Sequence, residues 1–260
     1  MRSWLALVAA VAVGALCAVG SGQEQPRIQV LILTGQNNHD WRATTPVLRD
    51  ILQRCGRFEV RVNEEPRGCG PETFAPYDVL LTNYNGPRWG ERTEQALLDF
   101  VRAGKGFVVI HAADNAFGGW DEYDKLIGPA WRAGAGHTAY HSFVVTIEDP
   151  EHPITNGMHD FQHAPDELYQ RLTVHPEAQV HVLASAYASP DKGGTGKKEP
   201  QAVVLTYGQG RCFQLVLGHS VESMKGVGFA ALLQRGTEWA ATGQVTLPAP
   251  TDLPPPEGPK

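Results

Sequence analysis

The sequence predicts an α/β fold with a doubly wound, mostly parallel sheet of the flavodoxin-like type, extended by antiparallel strands. Short apolar runs alternate with amphipathic helical segments, the links between them are short, and a hairpin pattern lies near the end of the chain. Alternating strands and helices form a parallel sheet with helices on both faces. The hairpin, which turns at residues 208–210, predicts the antiparallel part.

The first half of the chain is predicted to follow the order β-α-β-β-α-β. Residues 28–34 form an apolar run that ends before Gly35, as in a strand buried on both faces. Thr45 before Pro46 predicts the start of a helix, and Gly56 follows its end. Further strands are predicted at 58–62, 78–84 and 107–110, and a second helix at 91–103.

The alternation stops after residue 110. Residues 111–140 contain only one short predicted helix, at 121–127, and long irregular segments inside a compact domain commonly form binding loops or lids. Strands follow at 141–147, 180–186, 202–207 and 211–217, and a last helix runs from residue 223 or 227 to 241. The sheet is therefore predicted to be mixed.

The two ends of the chain carry different signals. A basic start, an apolar run over residues 4–19 and small residues at 20–22 predict a signal peptide over residues 1–22, and hence a secreted or periplasmic protein. The alternatives are a membrane anchor, for which the run is short, and a lipoprotein modified at Cys17. A single domain is expected over residues 23–247, and the proline-rich residues 248–260 are expected to form a disordered, unpacked tail.

The net charge of the chain limits the kinds of partner that it can bind. The formal net charge is −6, which argues against nucleic acid or an anionic membrane as the main partner.

Cys55 and Cys69 flank a predicted strand and could form a disulfide in an oxidising compartment, or remain unpaired. Cys212 lies in an apolar strand and is predicted to be a buried packing residue.

Polar residues follow four of the predicted strands. In doubly wound sheets, ligands bind beyond the carboxyl ends of the strands. We therefore expect His39, His111 and His219 to point into one crevice. The other polar residues at these strand ends are Asn38, Asn83, Asn85 and Asp114.

Two further features are candidates for chemistry. His137 and His141 have a spacing that could place both imidazoles on one divalent metal ion, completed by Asp114 or Glu167. Alternatively, His141 starts its strand and points away from His137. The carboxylates of Asp166 and Glu167 could act as general acid or base or accept hydrogen bonds from sugar hydroxyls, or could lie in a solvated turn.

The sequence lacks the motifs that several kinds of site require. The turn after the first strand lacks the spaced glycines of a dinucleotide or phosphate loop. The chain contains no Gly-x-Ser-x-Gly elbow and no DNA-binding motif.

Five motifs follow one another in a specific order: Leu33-Thr34-Gly35-Gln36-Asn37-Asn38-His39-Asp40-Trp41, residues 106–113, residues 141–154, Asp166-Glu167-Leu168-Tyr169, and residues 207–219. Together they resemble the ThuA-like (trehalose utilisation) family over nearly all of residues 27–243. The resemblance implies a fold similar to class I glutamine amidotransferases. The nucleophilic cysteine of those enzymes is replaced here by His111-Ala112-Ala113, so glutaminase chemistry is not expected.

The resemblance also implies a small-molecule carbohydrate as partner. We expect an exported enzyme of carbohydrate catabolism, acting on a disaccharide or an oxidised sugar, with catalytic residues among His39, His111, Asp114, Glu167 and His219. Expected substrate-binding residues are Asn38, Asn83, Asn85, Trp120, Trp131 and Tyr140, because amides bind hydroxyls and aromatic faces pack on sugar rings. The alternatives are a carbohydrate-binding protein without catalysis and a metal-dependent hydrolase built on His137 and His141.

Overall fold

The computed structural model describes residues 26–257. The predicted signal peptide, residues 1–22, lies outside the described residues. Within the described part of the chain, no helix is long and apolar enough to span a membrane.

In residues 26–257, nine strands form one mixed sheet, in the order β2-β1-β3-β4-β13-β12-β11-β7-β8. The strands of this sheet are β1 (Ile28–Leu33), β2 (Phe58–Asn63), β3 (Val79–Thr82), β4 (Gly106–Ile110), β7 (Val144–Ile147), β8 (Phe161–Gln162), β11 (His181–Tyr187), β12 (Lys198–Tyr207) and β13 (Gly210–Leu215). The pairs from β2 to β13 are parallel and those from β13 to β8 are antiparallel. The predicted fold class, a doubly wound sheet with an antiparallel extension, is confirmed.

Four two-residue strands of the described chain lie outside this sheet and form two small ladders. They are β5 (Pro129–Ala130), β6 (Gly136–His137), β9 (Tyr169–Gln170) and β10 (Thr173–Val174). β5 pairs with β10, and β6 pairs with β9. The second ladder holds the loop that starts at Trp131 against the segment that carries Glu167.

The helices are α1 (Trp41–Arg54), α2 (Pro71–Phe74), α3 (Glu91–Arg102), α4 (Asp121–Ile127), α5 (Val221–Met224) and α6 (Val227–Thr242), with 3-10 turns at His111–Asn115 and Pro190–Lys192. Helix α1 begins at Trp41 instead of Thr45, because the Asp40 side chain caps it by accepting from the backbone N–H of Ala43 at 3.1 Å. Strand β7 begins at Val144 instead of His141, which makes only an isolated bridge to Asp166.

Two apolar layers cover the parallel part of the sheet. Alternate strand residues face opposite sides, so Val30 and Ile32 pack under α1 and α6, whereas Leu31 and Leu33 pack under α3 and α4. The order in which successive strands are added to the sheet reverses at β1, because β2 lies on one side of β1 and β3 lies on the other. The carboxyl ends of β1 and β3 are therefore the topological switch point, where ligands bind in folds of this kind.

Cys55, Cys69 and Cys212, the cysteines in the described part of the chain, are unpaired. Cys55 packs against the apolar layer under α1, whereas Cys69 is buried in the layer on the opposite face of the sheet. This separation rules out the disulfide that the sequence left open. Cys212 is fully buried in β13, as predicted.

The proline-rich end of the chain packs against the domain as far as the structure describes it. Leu253 is only 5 % exposed and joins the apolar layer that contains Phe161. The backbone N–H of Gln162 in β8 donates to the carbonyl of Pro254 at 2.9 Å. Residues 248–257 therefore differ from the unpacked tail that we expected, because one leucine and one edge-strand hydrogen bond suffice to hold an extended segment.

Candidate functional site

Three imidazoles and one carboxylate converge beyond the carboxyl ends of β1, β4 and β13. We call His39, His111, Glu167 and His219 the His/Glu cluster, since their ligand atoms all lie within 4.8 Å of one another. The ring centroid of His39 is 5.0 Å from that of His111 and 4.4 Å from that of His219. The sequence predicted the convergence of the three histidines, and the structure places them together.

His39 is held by a network of hydrogen bonds after β1. The amide of Asn37 donates to the carbonyl of Asn83 at 3.1 Å, and its oxygen accepts from the backbone N–H of His39 at 3.1 Å. The next residue, Asp40, caps α1. His39 is therefore fixed between two regular elements at the switch point.

His111 is the first residue after β4 and adopts a left-handed backbone conformation, with φ of 45°. A non-glycine residue in this region is strained, and such strain is concentrated at functional sites. Its Nδ1 lies 2.6 Å from the carbonyl oxygen of Val216 and donates to it, which leaves Nε2 as the free acceptor. This Nε2 is buried, has no hydrogen-bond partner and lies 3.8 Å from Oε2 of Glu167.

Asp166 connects the segments that carry Glu167 and His219. Its carboxylate accepts from the backbone N–H groups of Glu167, Gly218 and His219 at 2.8–3.1 Å. The buried imidazole of His163 lies 2.9 Å from the same carboxylate. Burial disfavours the charged form of Asp166, but these hydrogen bonds outweigh it and hold the pKa of the carboxyl below its ordinary value.

The groups of the His/Glu cluster shift one another's pKa values. Burial opposes ionisation of Glu167, but the neighbouring imidazoles of His111, His219 and His137 prevail and keep its pKa well below the ordinary value. In turn, the Glu167 carboxylate, 3.0 Å from Nδ1 of His219, raises the pKa of that imidazole. Burial, together with His111 and His219, lowers the pKa of His39 to about 4. The His39 imidazole is thus neutral at neutral pH.

Sequence reasoning did not assign a role to Tyr169. Its ring lies 4.2 Å from that of His111, and its hydroxyl lies 3.4 Å from Nε2 of His39. Burial raises the pKa of this phenol above its ordinary value, so the hydroxyl stays protonated. The only sequence signal for it was its position in the motif Asp166-Glu167-Leu168-Tyr169.

A polar cavity of about 640 Å³ borders the cluster. His39 and His219 form part of its wall, whereas the more deeply buried His111 and Glu167 lie behind them. The other polar side chains that line it are those of Asn38, Asp40, Thr44, Ser220, Glu222 and Lys225. The cavity offers many hydrogen-bonding groups and little aromatic surface.

Several predicted residues lie beside the cluster. Asn38 lines the cavity, and its oxygen accepts from the Asn85 amide at 2.7 Å. The exposed ring of Tyr140 lies 5.5 Å from that of His219. Trp131 packs edge-on against Tyr169 at 4.5 Å, and His137 Nε2 lies 3.6 Å from Glu167 Oε1.

Three other predicted residues have structural contacts instead. Asp114 is fully buried, where desolvation raises the pKa of its carboxyl well above the ordinary value, and Gln214 is its neighbour at 3.4 Å. The buried amide of Asn83 donates to Thr44 and Thr45 at 3.2 and 3.0 Å, joining β3 to α1. Trp120 packs with aromatic residues on the far apolar layer.

The structure does not bring His137 and His141 together as a metal-binding pair. The Nδ1 atom of His141 lies 2.6 Å from the carbonyl of Ala139, and its ring packs against Phe143. Among residues 26–257, the group with metal-ligand spacing is the His/Glu cluster, which includes neither of them. Of the residues that the sequence suggested for a metal ion, only Glu167 therefore belongs to this cluster.

A sequence model of the ThuA family, described as trehalose utilisation, matches residues 29–240. The chain belongs to the ThuA family. This membership gives the ThuA protein a carbohydrate-related role. No curated protein matches the sequence.

Solved structures support the same assignment. A ThuA-like protein from Parabacteroides merdae ATCC 43184 is 34% identical, with a TM-score of 0.80, over 88% of this chain and 95% of that one. A ThuA-like protein from Bacteroides uniformis ATCC 8492 is 19% identical, with a TM-score of 0.67, over 87% and 98% of the two chains. At that identity it shows the fold alone.

The ThuA fold is of the glutamine amidotransferase type. A GMP synthase component from Thermoplasma acidophilum shares it at 8% identity, with a TM-score of 0.50, over 85% of this chain and 96% of that one. In this ThuA chain the sharp turn after β4 carries His111, and no cysteine occurs between Cys69 and Cys212. Thioester chemistry at that turn would need a thiol.

Proposed function

We propose that this ThuA protein is an enzyme of carbohydrate catabolism that acts on a disaccharide or an oxidised sugar derivative at the His/Glu cluster. The observation that carries the proposal is the convergence of three imidazoles and a carboxylate beside a cavity of about 640 Å³, whose wall includes two of the imidazoles. A cavity of this volume is within the range of small-molecule sites.

The chemistry of the cluster suits reactions at sugar oxygens. Such reactions require that a hydroxyl, a carbonyl or an attacking water gains or loses a proton, or is polarised. Imidazole and carboxylate groups serve either purpose. Glu167 takes the role of carboxylate partner in this proposal, because Asp114 is fully buried outside the cluster.

The cavity wall fits a polyhydroxylated ligand. Asn38, Ser220 and Glu222 present hydrogen-bonding groups, while Tyr140 offers an exposed aromatic face beside His219. Asn83 and Trp120, which we expected to bind substrate, are buried in packing contacts and are left out of the proposed binding surface.

The test is a turnover screen of the purified protein against disaccharides and their keto derivatives. We expect His39→Ala and His219→Ala to lower kcat by about 100-fold or more, as for loss of an acid–base or equivalent group, with little change in ligand binding. His181→Ala is the matched control, since His181 is exposed and bound to Asp149 at 2.8 Å, outside the cavity.

The same screen decides between an enzyme and a carbohydrate-binding protein without catalysis. A wild-type protein that binds sugar without turning it over would support the binding protein. In that case Asn38→Ala should lose sugar binding, and the histidine variants should still bind sugar without turnover. Equal turnover in the wild type and in His39→Ala and His219→Ala would refute the proposed site.

We further propose that the protein acts after export, because residues 1–22 have the pattern of a signal peptide. Expression of the full chain with its leader, followed by mass measurement of the protein in the extracytoplasmic fraction, tests this. A mass corresponding to cleavage near Gly22 supports export, and uncleaved protein retained in the cytoplasm refutes it.

A further inference from the structure

The His/Glu cluster has the donor set and spacing of a metal site. Its four ligand groups come from separate segments of the chain, and yet their ligand atoms lie within 4.8 Å of one another. Ligands of a tetrahedral zinc ion, each about 2.0–2.1 Å from the metal, are about 3.4 Å apart. Small side-chain rotations therefore close the four groups around one ion.

The orientation of His111 supports a ligand at its Nε2 atom. Because Nδ1 donates to the carbonyl of Val216 at 2.6 Å, Nε2 carries the lone pair. The side chain is 3% exposed, and Nε2 has no hydrogen-bond partner although it points toward Glu167. A buried acceptor without a partner is costly, and an imidazole anchored through its other nitrogen is the usual arrangement of a metal ligand.

Asp166 supplies the outer support that such a site needs. Its carboxylate accepts from the backbone N–H groups of Glu167 and His219 and so fixes both of these residues. The buried imidazole of His163 holds the Asp166 carboxylate at 2.9 Å. Buried partners of this kind fix the orientation of metal ligands.

The donor types select the class of ion. Three imidazole nitrogens and one carboxylate suit zinc and other divalent first-row transition ions, whereas calcium and magnesium prefer oxygen ligands throughout. His39 and His219 face the polar cavity, so an ion there would be reachable by a water or a sugar oxygen. With four protein ligands, such an oxygen would enter as a fifth ligand, a coordination number that catalytic zinc sites reach.

We propose that His39, His111, His219 and Glu167 together bind one divalent first-row transition ion at the inner wall of the cavity. The role of the ion rests on the proposed function: it would polarise a sugar oxygen or a water molecule in the cavity. Its binding does not depend on turnover. This site replaces the pair His137 and His141 that the sequence suggested.

The experiment uses the full chain without a histidine tag, stripped of metal by a chelator. Zn²⁺ is titrated by calorimetry, and Co²⁺ by its visible absorption bands, which report imidazole and carboxylate coordination. We expect one ion per chain, and a rise in Tm with Zn²⁺. His39→Ala, His219→Ala and Glu167→Gln should each weaken Zn²⁺ binding by about 100-fold or more.

Folding does not limit the result with these variants. His219 and His39 are partly exposed, unlike His111, and retention of the far-UV circular dichroism spectrum verifies the fold. His181→Ala is the matched control and should bind Zn²⁺ like the wild type, because its exposed imidazole pairs with Asp149.

A wild-type protein that takes up neither ion would overturn the inference, and so would binding that survives in His39→Ala and His219→Ala. Loss of binding in His141→Ala but not in His219→Ala would also refute it in favour of another site. Stoichiometric Zn²⁺ binding without sugar turnover would leave the metal site standing and refute the proposed function. Turnover by metal-free protein would support the proposed function and refute the role given to the ion.

Discussion

At the residue scale, Gly35 determines how the chain leaves β1 on its way to His39. Its φ of 110° lies in the region that favours glycine, and a Cβ there would stand 1.8 Å from the backbone oxygen of Glu64. Gly35→Ala should therefore lower the free energy of unfolding by about 2–4 kcal/mol. Urea denaturation measures the change.

The control for this prediction is Gly118→Ala. Gly118 is exposed and a Cβ at that position would meet no atom within 4 Å, so its substitution should change stability by less than about 1 kcal/mol. Equal effects of the two substitutions would mean that the close approach of Gly35 to Glu64 does not constrain the loop that carries His39.

At the element scale, Glu238 ties α6 to its surroundings. This fully buried carboxylate accepts from Arg57 at 2.8 Å, from the hydroxyl of Thr246 at 2.6 Å, and from the backbone N–H groups of Thr246 and Leu247. Burial opposes its ionisation, but these partners prevail and lower the pKa of Glu238. The Glu238 carboxylate therefore links α6 to the start of β2 and to the C-terminal segment.

The lowered pKa of Glu238 predicts a pH dependence of stability. Since the folded-state pKa is depressed, the stabilisation is fully present above the unfolded value of about 4.3 and is lost as pH falls from there toward the folded-state pKa. Glu238→Gln should lose about 3 kcal/mol at pH 7 and lose less further stability than the wild type below about pH 4.3. Urea midpoints at a series of pH values measure both effects, and parallel curves would contradict the prediction.

The C-terminal segment contributes a second effect at this scale. Leu253 is buried against the layer that contains Phe161, so Leu253→Ala should lower the free energy of unfolding by about 2–4 kcal/mol. Thr251→Ala, at an exposed position two residues away, should have little effect. The difference between their urea midpoints is the measurement, and no difference would mean that residues 248–257 contribute nothing to stability.

At the scale of the whole molecule, the sequence predicted the architecture because periodicity and strand-end chemistry are local signals. The run 28–34 and the hairpin at 208–210 each identify their element, and convergence of His39, His111 and His219 follows from parallel strands ending at one edge. The position of Glu167 could not be predicted in this way, because it depends on the isolated bridge of His141 to Asp166 and on the short β6–β9 ladder. The expected catalytic role of Asp114 could not be checked from the sequence for the same reason, since only its packing against β13 shows that its carboxyl is buried.

The parallel and antiparallel halves of the sheet should unfold together. One apolar layer runs from Phe58 in β2 to Phe161 in β8, and α6 packs on β4 and β13 and, through Gly228, against Phe161. Phe213 in β13 lies at the junction, opposite Val108 in the parallel pair and Val204 in the antiparallel pair. Because neither half has a separate core on this face, we expect far-UV circular dichroism and tryptophan fluorescence to give coincident urea transitions. Phe213→Ala should shift both transitions equally, by about 3–5 kcal/mol, whereas independent halves would give two transitions of which the substitution moves one more than the other.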